Sequence, residues 1–297
     1  MRRREMLKAA TAAALGASAS PLVVGALPET NKRKVLYFTR SVGFEHSVVR
    51  RQGAQLSHSE KVLMEMGRKA GYEVECAKDG RVFDGNLDPY DVIAFYTTGD
   101  LTAAAKDGSP PMTPAGKQKL LYMVAAGKGF VGFHSATDTF HSKGPRNENQ
   151  AEVDPYIAMI GGEFVTHGAE QEASLVLASP KFPGAGNLGM AEGIAFTDEW
   201  YTFKNFAKDL HVILVQETQM MKGEAYRRPD FPATWARLHG QGRVFYTSLG
   251  HREDIWTNPF FQAIVLGGLA WTSRQVDAGV KPNLNEVTPQ AHLLKNR

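Results

Sequence analysis

An α/β fold, with a mainly parallel central sheet flanked by helices and extra strands in the C-terminal half, is what the sequence predicts from three observations. From Lys34 onward, short runs rich in β-branched and aromatic residues alternate with segments whose apolar residues recur at helical spacing. Two of the runs, residues 91–96 and 130–133, are apolar at nearly every position, the pattern of strands buried on both faces. After Glu170 the helical periodicity thins out and five strand candidates follow with few helices between them.

The first strand is residues 35–39, followed by a loop and a helix through Leu56, Leu63, Met66 and Ala70 that Gly71 ends. Residues 72–76 form the second strand and 91–96 the third. Thr113-Pro114 supplies an N-cap and a first-turn proline for a helix through Leu120, Leu121 and Val124, closed by Gly127. The fourth strand is 130–133, and a short helix over 155–160 stops at Gly161-Gly162. Strands then follow at 173–177, 201–203, 211–216, 233–239 and 243–247, the last two joined by a hairpin at His239-Gly240-Gln241-Gly242. Asn258-Pro259 caps a final helix through Phe260, Phe261, Ile264, Val265 and Leu269, whose apolar face should return to the sheet. These elements predict one domain over residues 27–274, with a polar tail over 275–297.

With 43% hydrophobic and 22% charged residues in 297, the chain is of the ordinary globular class, which excludes disorder, collagen and coiled coil. Its one cysteine, Cys76, rules out an internal disulfide and a thiolate zinc cluster. The formal charge of +3 resides in residues 1–26, where Arg2, Arg3, Arg4 and Lys8 face only Glu5, so the remainder is neutral. The longest basic run of that remainder is Lys32-Arg33-Lys34, so no nucleic-acid partner is expected. Residues 1–26 read as a cleaved export signal: a basic start, an Ala-rich apolar run from Leu7 through Ala19, and small residues at Ala17-Ser18-Ala19 and Val24-Gly25-Ala26. Arg3-Arg4-Glu5-Met6-Leu7-Lys8 resembles a twin-arginine signal, which implies the corresponding export machinery as a partner and a periplasmic or otherwise exported location.

Four of the nine histidines stand in Gly-containing loops at or just after predicted strands: His46, His134, His167 and His251. In an open parallel α/β sheet, ligands bind beyond the carboxyl ends of the strands, where such residues converge, so the four predict a shared pocket. His58, His211, His239 and His292 are read as ordinary. Gly184-Ala-Gly-Asn-Leu-Gly189 matches a dinucleotide fingerprint as a string but follows Pro183 instead of a strand, so no nucleotide cofactor is expected.

Six stretches in order resemble the motifs of the trehalose-utilisation ThuA-like family. They are Val35-Leu-Tyr-Phe-Thr-Arg-Ser-Val-Gly-Phe-Glu-His46, Tyr90-Asp-Val-Ile-Ala-Phe-Tyr-Thr-Thr-Gly-Asp100, Gly129-Phe-Val-Gly-Phe-His-Ser-Ala-Thr-Asp138, Gly161-Gly-Glu-Phe-Val-Thr-His167, Thr197-Asp-Glu-Trp-Tyr201 and Gly242-Arg-Val-Phe-Tyr-Thr-Ser-Leu-Gly-His251. The resemblance implies a class I glutamine-amidotransferase-like, flavodoxin-type fold and a link to sugar breakdown, often through oxidised (3-keto) glycosides. At the strand-to-helix elbow, where amidotransferases carry a nucleophilic cysteine, this chain has Gly132-Phe133-His134-Ser135-Ala136. Histidine cannot replace the thiolate in acyl transfer from glutamine, so amidase activity is not expected.

Two chemistries stay open for His134. With His167, His251 and Glu199 it could bind a divalent metal, zinc first, leaving a position for water or a sugar oxygen. Alternatively, a histidine such as His134 or His46 is the general acid or base of a metal-free site in which Glu199 or Asp100 orients the substrate. Asp138 and Asp198 are candidate partners for sugar hydroxyls, and Trp200 and Tyr201 candidate aromatic walls for a pyranose. The function expected is an exported enzyme acting on an oxidised or modified glycoside, with a non-catalytic carbohydrate-binding or accessory protein as the alternative. A homo-oligomer is compatible with the sequence.

Overall fold

The computed structural model describes residues 32–186 and 194–295; the export segment expected over residues 1–26, and the end of the Gly184–Gly189 string, lie outside the described residues. Among the described residues, nine strands form one sheet. Its first half contains β1 (Arg33–Phe38), β2 (Tyr72–Ala77), β3 (Val92–Phe95), β4 (Gly129–Phe133) and β11 (Gly242–Thr247), parallel in the order β2-β1-β3-β4-β11. Its second half adds β10 (Phe231–His239), β9 (His211–Gln216), β6 (Gln171–Leu177) and β7 (Ile194–Asp198), all antiparallel. A separate two-stranded ribbon pairs β5 (Glu163–His167) with β8 (Tyr201–Lys204).

The period-two alternation of β1 divides the core. Val35 and Tyr37 point to one side, with Leu63 and Met66 of α1 (His58–Lys69) and with Phe261, Ile264 and Val265 of α5 (Pro259–Thr272). Leu36 and Phe38 point to the other, with Leu120 and Val124 of α2 (Pro114–Ala125) and with Tyr156 and Ile157 of α3 (Pro155–Ile160). The result is a sheet covered on both faces, which is why its central strands carry no polar face.

The helix starts follow their capping residues. Ser57 accepts from the Glu60 amide while the Glu60 carboxylate accepts from the Ser57 amide, so α1 begins at His58 and Leu56 lies outside it. Thr113 and Asn258 cap α2 and α5 as expected, each followed by proline.

Two strands and the C-terminus differ from the sequence expectation. β5 and β7 were not expected as strands, and His167 is the last residue of β5 rather than part of a loop. The segment after Arg274, expected as a polar tail, packs on the body. It contains a short helix, Leu284–Val287, and buries Leu284, Thr288 and Ala291. Asn283 donates its amide to the Leu210 carbonyl, and the Arg228 guanidinium donates to the Ala291 carbonyl. The three buried residues span eight positions and include one large apolar side chain, Leu284, which is too little apolar signal to mark a packed segment in the sequence.

Gly184 has a structural role: with φ of 81° it lies so close to α5 that an added Cβ would meet the Ala263 carbonyl oxygen at 2.0 Å. Across the same contact, a Cβ on Gly267 would sit 1.8 Å from the Pro183 carbonyl oxygen, whereas the exposed Gly279 has nothing within 4 Å. Gly267→Ala is therefore expected to lower the unfolding free energy by about 1–3 kcal/mol, and Gly279→Ala to change it by less than about 0.5 kcal/mol, in urea denaturation. Equal effects of the two substitutions would contradict the close approach.

Candidate functional site

The carboxyl ends of the parallel strands converge on one carboxylate. His46 follows β1, His134 is the residue after β4, and His251 follows β11; Glu199 sits in the turn between β7 and β8. Glu199 Oε2 lies 3.3 Å from His134 Nε2, 3.3 Å from His251 Nδ1 and 3.8 Å from His46 Nε2. Its other oxygen, Oε1, is 3.1 Å from Nδ1 of His167. His46, His134, Glu199 and His251 each offer a ligand atom, and these atoms lie within 4.8 Å of one another.

His134 occupies a sharp elbow with φ of 39°, a left-handed conformation that costs a non-glycine residue on the order of 1–3 kcal/mol. The hydroxyls of Tyr246 and Thr137 donate to its carbonyl and hold the turn. The loop of His251 is braced from both sides. Asp198 accepts from the amides of Gly250 and Arg252, while Tyr96 and the Trp256 indole donate to the Gly250 carbonyl.

The proton positions follow from the acceptors present. Nδ1 of His134 is 2.7 Å from the Ser248 carbonyl oxygen, which can only accept, so Nδ1 carries the hydrogen. Burial of this fully enclosed ring pushes its pKa down to about 4, outweighing the pull of Glu199, so the imidazole is neutral and Nε2 is a bare lone pair. Burial likewise lowers His46, whose Nδ1 is buried without a hydrogen-bond partner. Burial alone would raise Glu199, but its histidine contacts outweigh that and hold it well below the usual carboxylate range. An ionised oxygen and a bare imidazole nitrogen, both acceptors, thus face each other at 3.3 Å. That contact is repulsive unless a proton or a cation is shared between them.

The expected site residues separate into distinct places. Tyr201 lies against the cluster, its ring 4.2 Å from that of His134 and its hydroxyl 3.3 Å from His46 Nε2. His167 is 42% exposed at the outer side of Glu199. Asp198 is wholly buried in the brace just described, and burial raises its pKa to about 6. Trp200 is also wholly buried and donates its indole N–H to the Gln171 carbonyl, so it has no surface to offer a sugar ring. Asp100 is exposed and caps its own turn, accepting from the amide and hydroxyl of Thr102. Asp138 accepts from His141 and Arg146. Cys76 is no rival nucleophile, because burial pushes its thiol up to about 12.

One histidine was missed. His141 bridges Asp138 Oδ1 at 2.7 Å and Glu163 Oε1 at 3.1 Å, and Glu163 is buried with Lys204 and Asn205 also on it. Burial would lower His141, but the two carboxylates outweigh it and raise its pKa to about 9; Glu163 is lowered to about 2. The network ties the end of the elbow to β5. The Asp138-x-x-His141 spacing was its only sequence signal, since Glu163 lies 22 positions from His141.

Fold and site together define an α/β protein with a histidine-carboxylate cluster at the carboxyl ends of its parallel strands. The ThuA family, described as trehalose utilisation, matches residues 34–272, and the chain belongs to it. No curated protein matches the chain. Among solved structures it is similar to a ThuA-like protein from Parabacteroides merdae ATCC 43184, at 17% identity and a TM-score of 0.58, over 84% of this chain and 92% of that one. It is also similar to a ThuA-like protein from Bacteroides uniformis ATCC 8492, at 17% identity and a TM-score of 0.56, over 85% and 95% of the two chains. At this identity the likeness shows the fold.

The His141 bridge has a pH signature. A histidine raised from 6.5 to about 9 on folding stabilises fully below its unfolded value, and that contribution is lost as pH rises through its folded value. Glu163 stays ionised across this window. The stability deficit of His141→Gln, measured by urea denaturation, is therefore expected to be larger near about pH 6 than near about pH 9.5. A deficit independent of pH would show that His141 is uncharged in the folded protein.

Proposed function

We propose that this chain is an exported sugar-processing enzyme whose cluster of His46, His134, Glu199 and His251 holds a divalent metal, zinc first. Its substrate on this reading is an oxidised (3-keto) or modified glycoside, processed by hydrolysis, elimination or isomerisation. The observation that carries the metal is the opposed pair of acceptors, His134 Nε2 and Glu199 Oε2, with further imidazoles aimed at the same oxygen. The donor set fits the ion: imidazoles and a carboxylate are ordinary zinc ligands, burial keeps His134 and His46 unprotonated, and His251, which burial would lower but Glu199 raises, would give up its proton on binding the ion. It differs from the set read from sequence in taking His46 in place of His167, which lies on the other carboxylate oxygen.

A bound metal would supply Lewis-acid polarisation of a carbonyl or of water. The chain's own groups do the rest. The second nitrogen of His134 is anchored on the Ser248 carbonyl, which orients the ring. The Tyr201 hydroxyl is placed to hydrogen-bond beside His46, and the exposed His167 is placed to meet a substrate entering from solvent. The strand order β2-β1-β3-β4-β11 supports a flavodoxin-like, class I glutamine-amidotransferase-like scaffold. Histidine at its elbow supports a chemistry other than amide transfer. Export is supported by the basic and apolar pattern of residues 1–26.

Elemental analysis of protein purified without chelator or nickel resin is expected to find about one equivalent of divalent metal per chain. The metal should be lost in His134→Ala and Glu199→Ala and kept in His167→Ala. A parent that neither carries metal nor takes up zinc, manganese or nickel would overturn the metal reading and leave His134 to be tested as an acid or base. Sugar affinity without turnover of any keto-glycoside in the loaded protein would mark an accessory binder.

A further inference from the structure

Arg40, just past the end of β1, is wholly buried, yet among the described residues no carboxylate meets its guanidinium. It donates instead to the carbonyls of Leu101 at 2.8 Å, Ala103 at 2.7 Å and Ser109 at 3.1 Å. A buried cation needs several acceptors to offset its desolvation. Drawing all three from one loop fastens residues 101–109 to the loop that follows β1. That second loop is fixed on its other side as well. The amides of Val42 and Gly43 donate to the Thr98 carbonyl, and a Cβ on Gly99, at φ of 74°, would stand 2.8 Å from the Gly43 nitrogen. The junction of β1 and β3 is where strand order reverses, the position at which open α/β sheets bind ligands.

Both loops line a cavity of about 270 Å³, to which Ser41, Glu45, Arg50, Lys106 and Asp107 contribute. Its two carboxylates are already matched. Glu45 pairs with Lys78 at 2.8 Å and with Arg50 at 3.2 Å. Asp107 accepts from the amide and hydroxyl of Ser109 and has Lys78 at 3.7 Å. Of the acids just beyond, Asp79 pairs with Arg81 and Asp100 is turned onto Thr102. Lys106 has no carboxylate partner among the described residues. Arg40, Arg50, Lys78 and Lys106 against Glu45 and Asp107 therefore leave the cavity positive. The Ser41 hydroxyl is a further unused donor: the residue is 6% exposed and the hydroxyl has no hydrogen-bond partner.

We propose that this cavity binds a phosphate group, carried either by inorganic phosphate or by a small phosphate monoester, with the Ser41 hydroxyl, the Lys106 ammonium and the Arg50 guanidinium as its donors. A tetrahedral oxyanion accepts several charge-assisted hydrogen bonds at once and neutralises the surplus charge, and the small volume suits it better than a drug-sized ligand. No residue of the histidine cluster lines the cavity, so the site is separate from that cluster and independent of both the metal and the sugar reading.

The test is calorimetric titration of the full chain with inorganic phosphate and, separately, glycerol 3-phosphate, at constant ionic strength in chloride, for the parent, Lys106→Ala, Lys106→Glu, Ser41→Ala and His134→Ala. Lys106→Ala is expected to weaken phosphate binding about tenfold, Ser41→Ala about threefold, and Lys106→Glu to abolish it, while His134→Ala leaves it unchanged. Lys106 is exposed, so its substitutions do not disturb the core. Tighter binding of glycerol 3-phosphate than of phosphate, with the same dependence on Lys106, would uphold the site and make a monoester its occupant. Equal or weaker binding of the monoester would uphold it with inorganic phosphate as the occupant. No binding of either by the parent, or binding that survives Lys106→Glu, would overturn the site. Binding lost in His134→Ala would also overturn it, by moving the phosphate to the histidine cluster.

Discussion

A buried carboxylate is the constraint around which the site is organised. Glu199 has little contact with water, and an anion in that position needs cationic or hydrogen-bonding company. The fold meets the need by ending β1, β4, β5 and β11 near it, so that four imidazoles surround two oxygens. Because His134 must give its proton to the Ser248 carbonyl, those imidazoles cannot all act as donors to Glu199.

Four consecutive residues divide the work around that charge. Asp198 turns inward and holds the amides of the His251 loop; Glu199 faces the imidazoles; Trp200 anchors the turn on the Gln171 carbonyl; Tyr201 opens β8 against His134. Only two of the four touch the imidazoles of the cluster. The other two set the distance at which those contacts occur. A substitution at Asp198 or Trp200 therefore reaches the site through the backbone, by releasing the loop or the turn.

The strained elbow gives the other half of the geometry. Its left-handed residue places an imidazole at the tip of β4, and hydroxyls of Tyr246 and Thr137 from the packed interior offset the strain. The loop after β1 that brings His46 to the cluster also carries Phe44, whose ring stands edge-on to that imidazole.

Much of this was legible along the chain. The uninterrupted apolar runs at 92–95 and 130–133, the caps at Thr113 and Asn258, and histidines just beyond strands are local patterns, and local patterns report which segments are strands and where each ends. They indicated the parallel half of the sheet and the shared pocket of the strand-end histidines, while the metal set read from them took His167 where the structure brings His46 together with His134, Glu199 and His251. What they could not carry is which side of a carboxylate each ring meets. His46 and His167 look equivalent as loop histidines, yet one lies among the buried ligand atoms and the other at the exposed oxygen, because β1 lies inside the sheet and β5 in a separate ribbon. Asp198 and Trp200 read as sugar contacts for the same reason: a strand's alternation shows that neighbours face apart, not which face is solvent. The pairing of His141 with Glu163, and the packing of the C-terminal segment on Arg228 and Leu210, join residues far apart in sequence. Such contacts are decided by tertiary structure alone, since the energy of a buried charge or carbonyl depends on its partner in space.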